Sequence, residues 1–331
     1  MADLKTTYMG LELRSPIIAG SCGLTSDVEK MVEMEKAGVG AVVLKSIFEE
    51  QINEETSGVF KAGYGMGDAY PEAEDYIKAY IRSNTIQKYV ELVRNAKSRL
   101  TIPVIASVNC FSGGEWISFA RQLEEAGADA LELNVFILPV NEFKESAEVE
   151  NVYFDIVKSI KSQVKIPVAV KISHYFTNLT AFVDKIKAYG ANATTLFNRF
   201  YEPDININTL EMGAASVFST AAELRTTLRW TGILAGKDKR LEISASTGVH
   251  GGEAAVKLLL AGATTVQVCS VLYEKGIQVI EDINNFVGKW MDSKAFKTIE
   301  DYRGMLSYSS IENPDLYERA QFMKYFSNKQ Y

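Results

Sequence analysis

The chain has 331 residues, 47% of them apolar, enough for one large core or two ordinary ones. Its 35 lysines and arginines against 42 aspartates and glutamates leave a formal charge of −7 without a basic run, which argues against a nucleic-acid partner. Cys22, Cys110 and Cys269 lie far apart without CxxC spacing and read as reduced thiols, and no apolar stretch precedes Met9, so a cytoplasmic protein without membrane contact or bound metal is expected.

The first strand is SPIIAGS from Ser15, entered through a proline, which is tolerated at the first residue of a strand. Ser26 with Glu29 three residues on is a capping-box signature for the first helix. It leads to AGVGAVVLKS, Ala37 to Ser46, where a glycine that suits a helix C-cap precedes a β-rich run. Residues 47–84 follow, too long for a simple connection, with a glycine- and tyrosine-rich stretch around Tyr64 and Tyr70 that could fold as a lid. A helix over 85–99, the strand IPVIASVN from Ile102 and a helix over 115–126 come next. The glycine-led phrase returns as AGADALELNV, Ala126 to Val135.

A helix over 149–164 precedes IPVAVKIS from Ile166, and one over 178–189 precedes YGANATTLFN, Tyr189 to Asn198. Residues 199–240 form a second long segment before RLEISAST from Arg240. A helix over 250–260 leads to AGATTVQVCS, Ala261 to Ser270, and another helix spans 271–290. The tail, 292–331, is rich in aromatic residues and is expected to pack under the barrel or in a subunit contact. Two strand types alternate, four of each, giving eight βα units, which need about 250 residues. The expectation is an α/β protein, one (β/α)8 barrel domain over 1–331, with insertions at 47–84 and 199–240 on its active face.

Chemistry in such a barrel sits at the C-terminal tips of the strands. In order the tips offer Gly20 and Ser21, Lys45 and Ser46, Asn109, Asn134, Lys171 and Ser173, Asn198, Ser246 to Gly248, and Cys269 with Ser270. A lysine at the rim of an apolar run must find an anion or lose its charge. The tips supply amides and hydroxyls rather than acids, so Lys45 and Lys171 read as awaiting an anionic ligand. Thr247-Gly248 and Ser270 each precede a helix, where backbone N–H groups can cradle phosphate. Together these features suggest a phosphate-bearing, ring-containing cofactor across the mouth.

The phrases SPIIAGSCG, VVLKS, ALELNV, IPVAVKIS and STGVHGGEAAVKLLLAGATTVQVCS, with the tail phrase FKTIEDYRGML, resemble the dihydroorotate dehydrogenase family. The resemblance spans essentially the whole chain and implies an FMN-dependent, cytoplasmic, homodimeric enzyme that oxidises dihydroorotate to orotate in pyrimidine synthesis. By position it implies that Gly20 and Ser21 lie against the flavin, that Lys45 touches flavin and substrate with Ser46 beside it, and that Lys171 faces flavin N1 and O2. It implies that Asn134 and Asn198 bind cofactor and pyrimidine. Thr247, Gly248, Cys269 and Ser270 fall at the family's phosphate amides, and Ser219-Thr220 replaces a glycine pair near the cofactor.

The family's base, a cysteine or serine in a phrase like NLSCPN, is matched here by NVFILPVN, with Ile137 or Leu138 at the base position. An NSMGLPN-like substrate loop after strand two is also replaced. The base is therefore unassigned: His174 at the tip of strand five is one candidate, Tyr64 and Tyr70 in the long insert are outside ones, and Cys22 and Cys110 fall near strand tips without a feature that marks a catalytic thiol. His250 reads either as a phosphate contact or as a helix cap. Alternatives are another small cyclic substrate, a flavin-binding relative without turnover, or a barrel lyase using Lys45 or Lys171 as a Schiff base.

Overall fold

The computed structural model describes residues 2–47, 71–109, 115–199 and 202–318, with side chains in two of the helices described from 83 and from 119 onward. Tyr64, Tyr70 and Cys110 lie outside the described residues, as do 48–70, most of the expected lid.

A hairpin opens the chain, β1 (Thr6–Tyr8) pairing antiparallel with β2 (Leu11–Leu13). The barrel strands follow: β3 (Ile17–Ala19), β4 (Ala41–Val43), β5 (Val104–Asn109), β6 (Ala130–Asn134), β7 (Val168–Ile172) and β8 (Ala193–Leu196). A second hairpin, β9 (Pro203–Asn206) with β10 (Glu211–Ala214), separates these from β11 (Glu242–Ala245) and β12 (Thr265–Val268). The barrel closes in the order β11-β12-β3-β4-β5-β6-β7-β8, with every pairing parallel. The expected (β/α)8 barrel is the observed fold.

The glycine-led phrases do what their chemistry suggests. Gly38, Gly127, Gly190 and Gly262 all have positive φ, between 91° and 116°, just past the ends of helices. At Gly262 the N–H donates back to Leu258 O and Leu259 O, which closes the last turn and aims the chain into β12.

Alternation along each strand separates two layers. Outward residues such as Val104, Ala106 and Val108 of β5 join the shell between barrel and helices. Inward residues at the N-terminal end are small (Ala41, Ala130, Ala169, Ala193), and the space they leave holds Ile18 and the hairpin residues Tyr8, Met9 and Leu13. The hairpin is thus a plug. No sequence pattern pointed to it, because two strands of three residues each carry no readable period.

Three expectations are corrected. The first helix, Val28–Lys36, is capped by Asp27, whose carboxylate accepts from the N–H of Glu29 and Lys30. Ser26 is instead engaged in the preceding 3-10 turn, its hydroxyl donating to Gly23 O at 2.7 Å. The segment 199–240 is not all insertion: Leu224–Lys237 is an ordinary barrel helix, and only the hairpin and its flanks are added. The expected helix over 271–290 breaks at Gly276, φ 80°, into Ser270–Lys275 and Val279–Ser293.

The described part of the tail, 292–318, packs against the barrel. Ile299 and Tyr302 are fully buried, and Thr298 bridges to Asp3. Further on, Tyr317 lies so close to the helix Leu224–Lys237 that a Cβ at Gly232 would stand 2.3 Å from its ring. No described helix is long and apolar enough to cross a membrane.

Candidate active site at the barrel mouth

The inward positions turn polar towards the C-terminal end. In β6 they run Ala130, Glu132, Asn134, in β7 Ala169, Lys171 and then Ser173, and in β12 Thr265, Gln267 and then Cys269. The apolar floor formed by the plug thus gives way to a polar layer and then to the mouth.

Glu132 is the centre of that layer, 1% exposed. Its Oε2 accepts from Gln267 Nε2 at 2.7 Å and Thr195 Oγ1 at 2.9 Å, and its Oε1 lies 3.7 Å from Lys171 Nζ. A buried carboxylate is tolerable only when so compensated. Sequence reasoning missed it, on the premise that the strand tips hold no acid. Glu132 lies two residues before Asn134 and so shares its inward face, and that parity was the available signal.

Above the knot, Asn198 Nδ2 donates to Asn134 Oδ1 at 2.7 Å, joining strands four and six. Gln267 Oε1 and Asn109 Oδ1 are buried without a hydrogen-bond partner. On the other side a chain of hydroxyls crosses strands one to three: Ser21 Oγ lies 3.1 Å from Ser46 Oγ, which lies 2.7 Å from Ser107 Oγ. Tyr89 pins its end, its hydroxyl accepting from Ser107 N–H and donating to Ser107 O.

The strand-seven turn places Thr247 and Gly248 consecutively in the left-handed region, both with φ 79°. For a β-branched residue this costs about 1–3 kcal/mol, and such strain gathers at functional sites. Next to it Ser270 Oγ accepts from Ser219 N–H at 3.0 Å, and Ser219 Oγ lies 3.3 Å from His250 Nε2. His250 Nδ1 in turn lies 3.1 Å from Glu274 Oε2. His250 therefore bridges the loop at Ser219 to the helix Ser270–Lys275 and is not a helix cap, since Gly251 holds the cap position.

Most of the sequence-derived residues converge. Gly20, Ser21 and Lys171 border a cavity of about 180 Å³ together with Cys269 and Ser270, and Asn198, Ser219, Thr247 and Gly248 complete its wall. Asn134 joins through Asn198, and Ser46 through Ser21. Lys45 borders a different cavity, of about 640 Å³, beside Asp27 and Lys88. Thr220 is exposed at the start of a 3-10 turn, where its N–H donates to Glu223 Oε1. Arg199, not singled out from the sequence, borders the 180 Å³ cavity and holds Glu223 and the carbonyls of Ser216 and Val217.

His174 sits exposed at the rim with its ring against those of Tyr175 and Phe197, and partial desolvation lowers its pKa from the usual 6.5. Ile137 packs on the outer core while Leu138 is half exposed, and neither has a proton-accepting atom. A cavity of about 900 Å³ opens at the opposite end around the plug, and none of the candidate site residues lines it. Among the described residues no cluster of three histidines, cysteines or carboxylates could hold a metal ion.

Residues 3–291 match the family model for dihydroorotate dehydrogenase. A relative from Thermoplasma acidophilum, named dihydroorotate dehydrogenase B (NAD(+)), catalytic subunit, is 30% identical over 92% of this chain and 99% of its own. Relatives of the same name from Thermoplasma volcanium, 27% identical over 92% of this chain and 99% of theirs, and Pyrococcus furiosus, 25% identical over 92% and 98%, match along a similar length.

Proposed function

Since the chain belongs to the dihydroorotate dehydrogenase family, oxidoreductases acting on a carbon–carbon single bond, we propose that it binds FMN across the barrel mouth and oxidises dihydroorotate to orotate in pyrimidine biosynthesis. In this reading 1–331 is one FMN-binding unit and works as a homodimer. The observation that carries it is the buried Lys171, whose ammonium lies beside Glu132 at a cavity walled by amides, hydroxyls and a turn of left-handed backbone.

The residues present fit the cofactor. Gln267 Oε1 is a buried acceptor without a partner in the cavity wall, and Gly20 beside it keeps that wall free of a side chain. Gly20 and Ser21 would support the ring's face and Lys171 its N1 and O2 edge. The amides around Ser219, Thr247-Gly248 and Cys269-Ser270 would take the phosphate. When bound, FMN supplies a two-electron acceptor for hydride at N5. Lys171 contributes a fixed positive charge where negative charge develops, an effect that needs no reorganisation during the reaction. Asn134 and Asn198 orient the substrate ring through their amides, and Lys45, with Ser46 beside it, would close over the ring.

Proton removal is where the chain departs from its family. With Ile137 and Leu138 at the base position, His174, three residues beyond Lys171, is the candidate acceptor, and desolvation lowers its pKa. The same apolar substitution favours a second reading, a different small cyclic substrate oxidised at the same flavin. Anaerobic titration with dihydroorotate while following the visible flavin band separates them. Bleaching supports the first reading, and bleaching only by other reduced rings supports the second. A protein that neither holds nor takes up FMN would refute both. The relatives' names make NAD+ the first electron acceptor to try.

A further inference from the structure

We propose that Cys22 and Cys269 form a redox-active dithiol, which a hydroperoxide converts into a disulfide across the seam between the first and eighth barrel strands. The residues come from opposite ends of the chain, and barrel closure delivers them to neighbouring tips. β3 and β12 pair in parallel with Ala19 beside Val268, and the next residue, Gly20, donates its N–H to Val268 O at 2.9 Å. Cys269 Sγ lies 3.8 Å from Ser21 O, the carbonyl bonded to the Cys22 nitrogen, which brings the two thiols into each other's neighbourhood. Both are partly accessible, unlike structural cysteines sealed in a core.

Their environments differ in the sense that disulfide chemistry requires. The Cys269 thiol and the Tyr273 hydroxyl converge on the Cys22 sulfur, and Tyr273 Oη is itself held by the N–H of Leu24 at 3.2 Å. Gly23 admits the phenol, since a Cβ there would meet Tyr273 Oη at 2.7 Å. The hydrogen bond from Cys269, outweighing burial, lowers the Cys22 thiol to about 6. Cys269 is pushed the other way by that hydrogen bond and by burial, with Lys171 a weaker opposing charge. One thiolate beside one neutral thiol makes Cys22 the attacking sulfur and Cys269 the resolving one.

In the first step the Cys22 thiolate attacks a peroxide oxygen and the O–O bond breaks. The leaving alkoxide takes a proton to depart as an alcohol (water, for hydrogen peroxide), and Cys22 is left as a sulfenic acid. Cys269 sulfur then attacks the sulfenic sulfur, forming S–S as hydroxide leaves with the Cys269 proton as water. The two thiols are oxidised by two electrons and the hydroperoxide is reduced. Neither step uses FMN, so this proposal and the cofactor reading stand or fall separately. Cys269 also borders the cavity beside Lys171, so the bridge would form in the wall of the proposed cofactor site.

The test is peptide mapping of the purified full-length protein after hydrogen peroxide treatment and blocking of the remaining thiols. The expected product is a Cys22–Cys269 linked peptide within a single chain, reversed by dithiothreitol and still formed in the Cys110→Ser protein. Cys269→Ser should stop at a Cys22 sulfenic acid that dimedone traps, and Cys22→Ser should leave Cys269 a thiol. Absence of the linked peptide from the unsubstituted protein overturns the proposal whether or not a variant folds. Oxidation of Cys269 with Cys22 intact, or bridges only between chains, overturns it equally.

Discussion

Lys171 and Glu132 meet because β6 and β7 pair with Asn134 beside Lys171, which brings the inward Glu132 within reach of the ammonium. Removing one member of such a pair leaves the other buried and uncompensated, at a cost of about 3–5 kcal/mol, whereas replacing both with apolar groups costs far less. Lys171→Ala is therefore expected to lower the urea midpoint sharply and to reduce flavin uptake. The double variant Lys171→Met with Glu132→Leu should recover much of the stability and none of the flavin affinity. Equal stability loss in single and double variants would show that charge compensation is not what the pair provides.

Cys22 carries a second prediction at this scale. Only the thiolate alkylates, so a lowered pKa moves the reactivity profile towards acid. Iodoacetamide labelling of Cys22 should be half-maximal near pH 6, whereas an ordinary thiol reaches that point near about 8.5. A profile centred on the ordinary value would mean that the donors around the sulfur do not hold a thiolate. Individual residues were unevenly legible in the sequence. Lys171 stood out because a lysine interrupts an apolar run, but the Cys22–Cys269 contact exists only once β12 closes on β3. Lys45 reads identically in sequence, yet it borders another cavity.

Among the elements, four of the barrel strands were legible because each glycine-led phrase contains both a helix stop and a strand start, and the other four as β-rich runs alternating with them. The helix Leu224–Lys237 was not, because its buried face includes Thr227, Thr231 and Gly232, polar or small residues that hide the apolar period. The N-terminal plug escaped for a different reason: its worth comes from the hole it fills and not from its own pattern. Tyr8 is 1% exposed in a layer lined by alanines too small to close the barrel themselves. Truncation of a large buried aromatic costs about 3–5 kcal/mol. Tyr8→Ala should lose that much in chemical denaturation while its folded fraction keeps the same flavin content, since the plug is separated from the mouth by the polar layer. Flavin loss in parallel with stability would mean that the layers are not independent.

For the whole molecule, the question is what covers the second hairpin. β9 and β10 are exposed throughout and carry Ile205 and Met212, the latter 69% exposed, with Leu210, 85% exposed, in the turn between them and Val217 exposed beyond. Its base is anchored, because Arg199 ties Glu223 to the carbonyls of Ser216 and Val217. A rigidly rooted arm that presents contiguous apolar side chains is the kind of surface a subunit contact buries. A second copy of this chain is the occupant in the homodimer proposed above, and a two-fold contact would let each arm meet the same surface on its partner. Sedimentation of the unsubstituted protein at micromolar concentration should then give a dimer. Leu210→Asp with Met212→Asp should shift it to monomer without loss of secondary structure, because neither side chain is buried within one chain. A monomeric parent, or a dimer indifferent to both charges, would leave the hairpin without the role assigned to it and would move the subunit contact to another face.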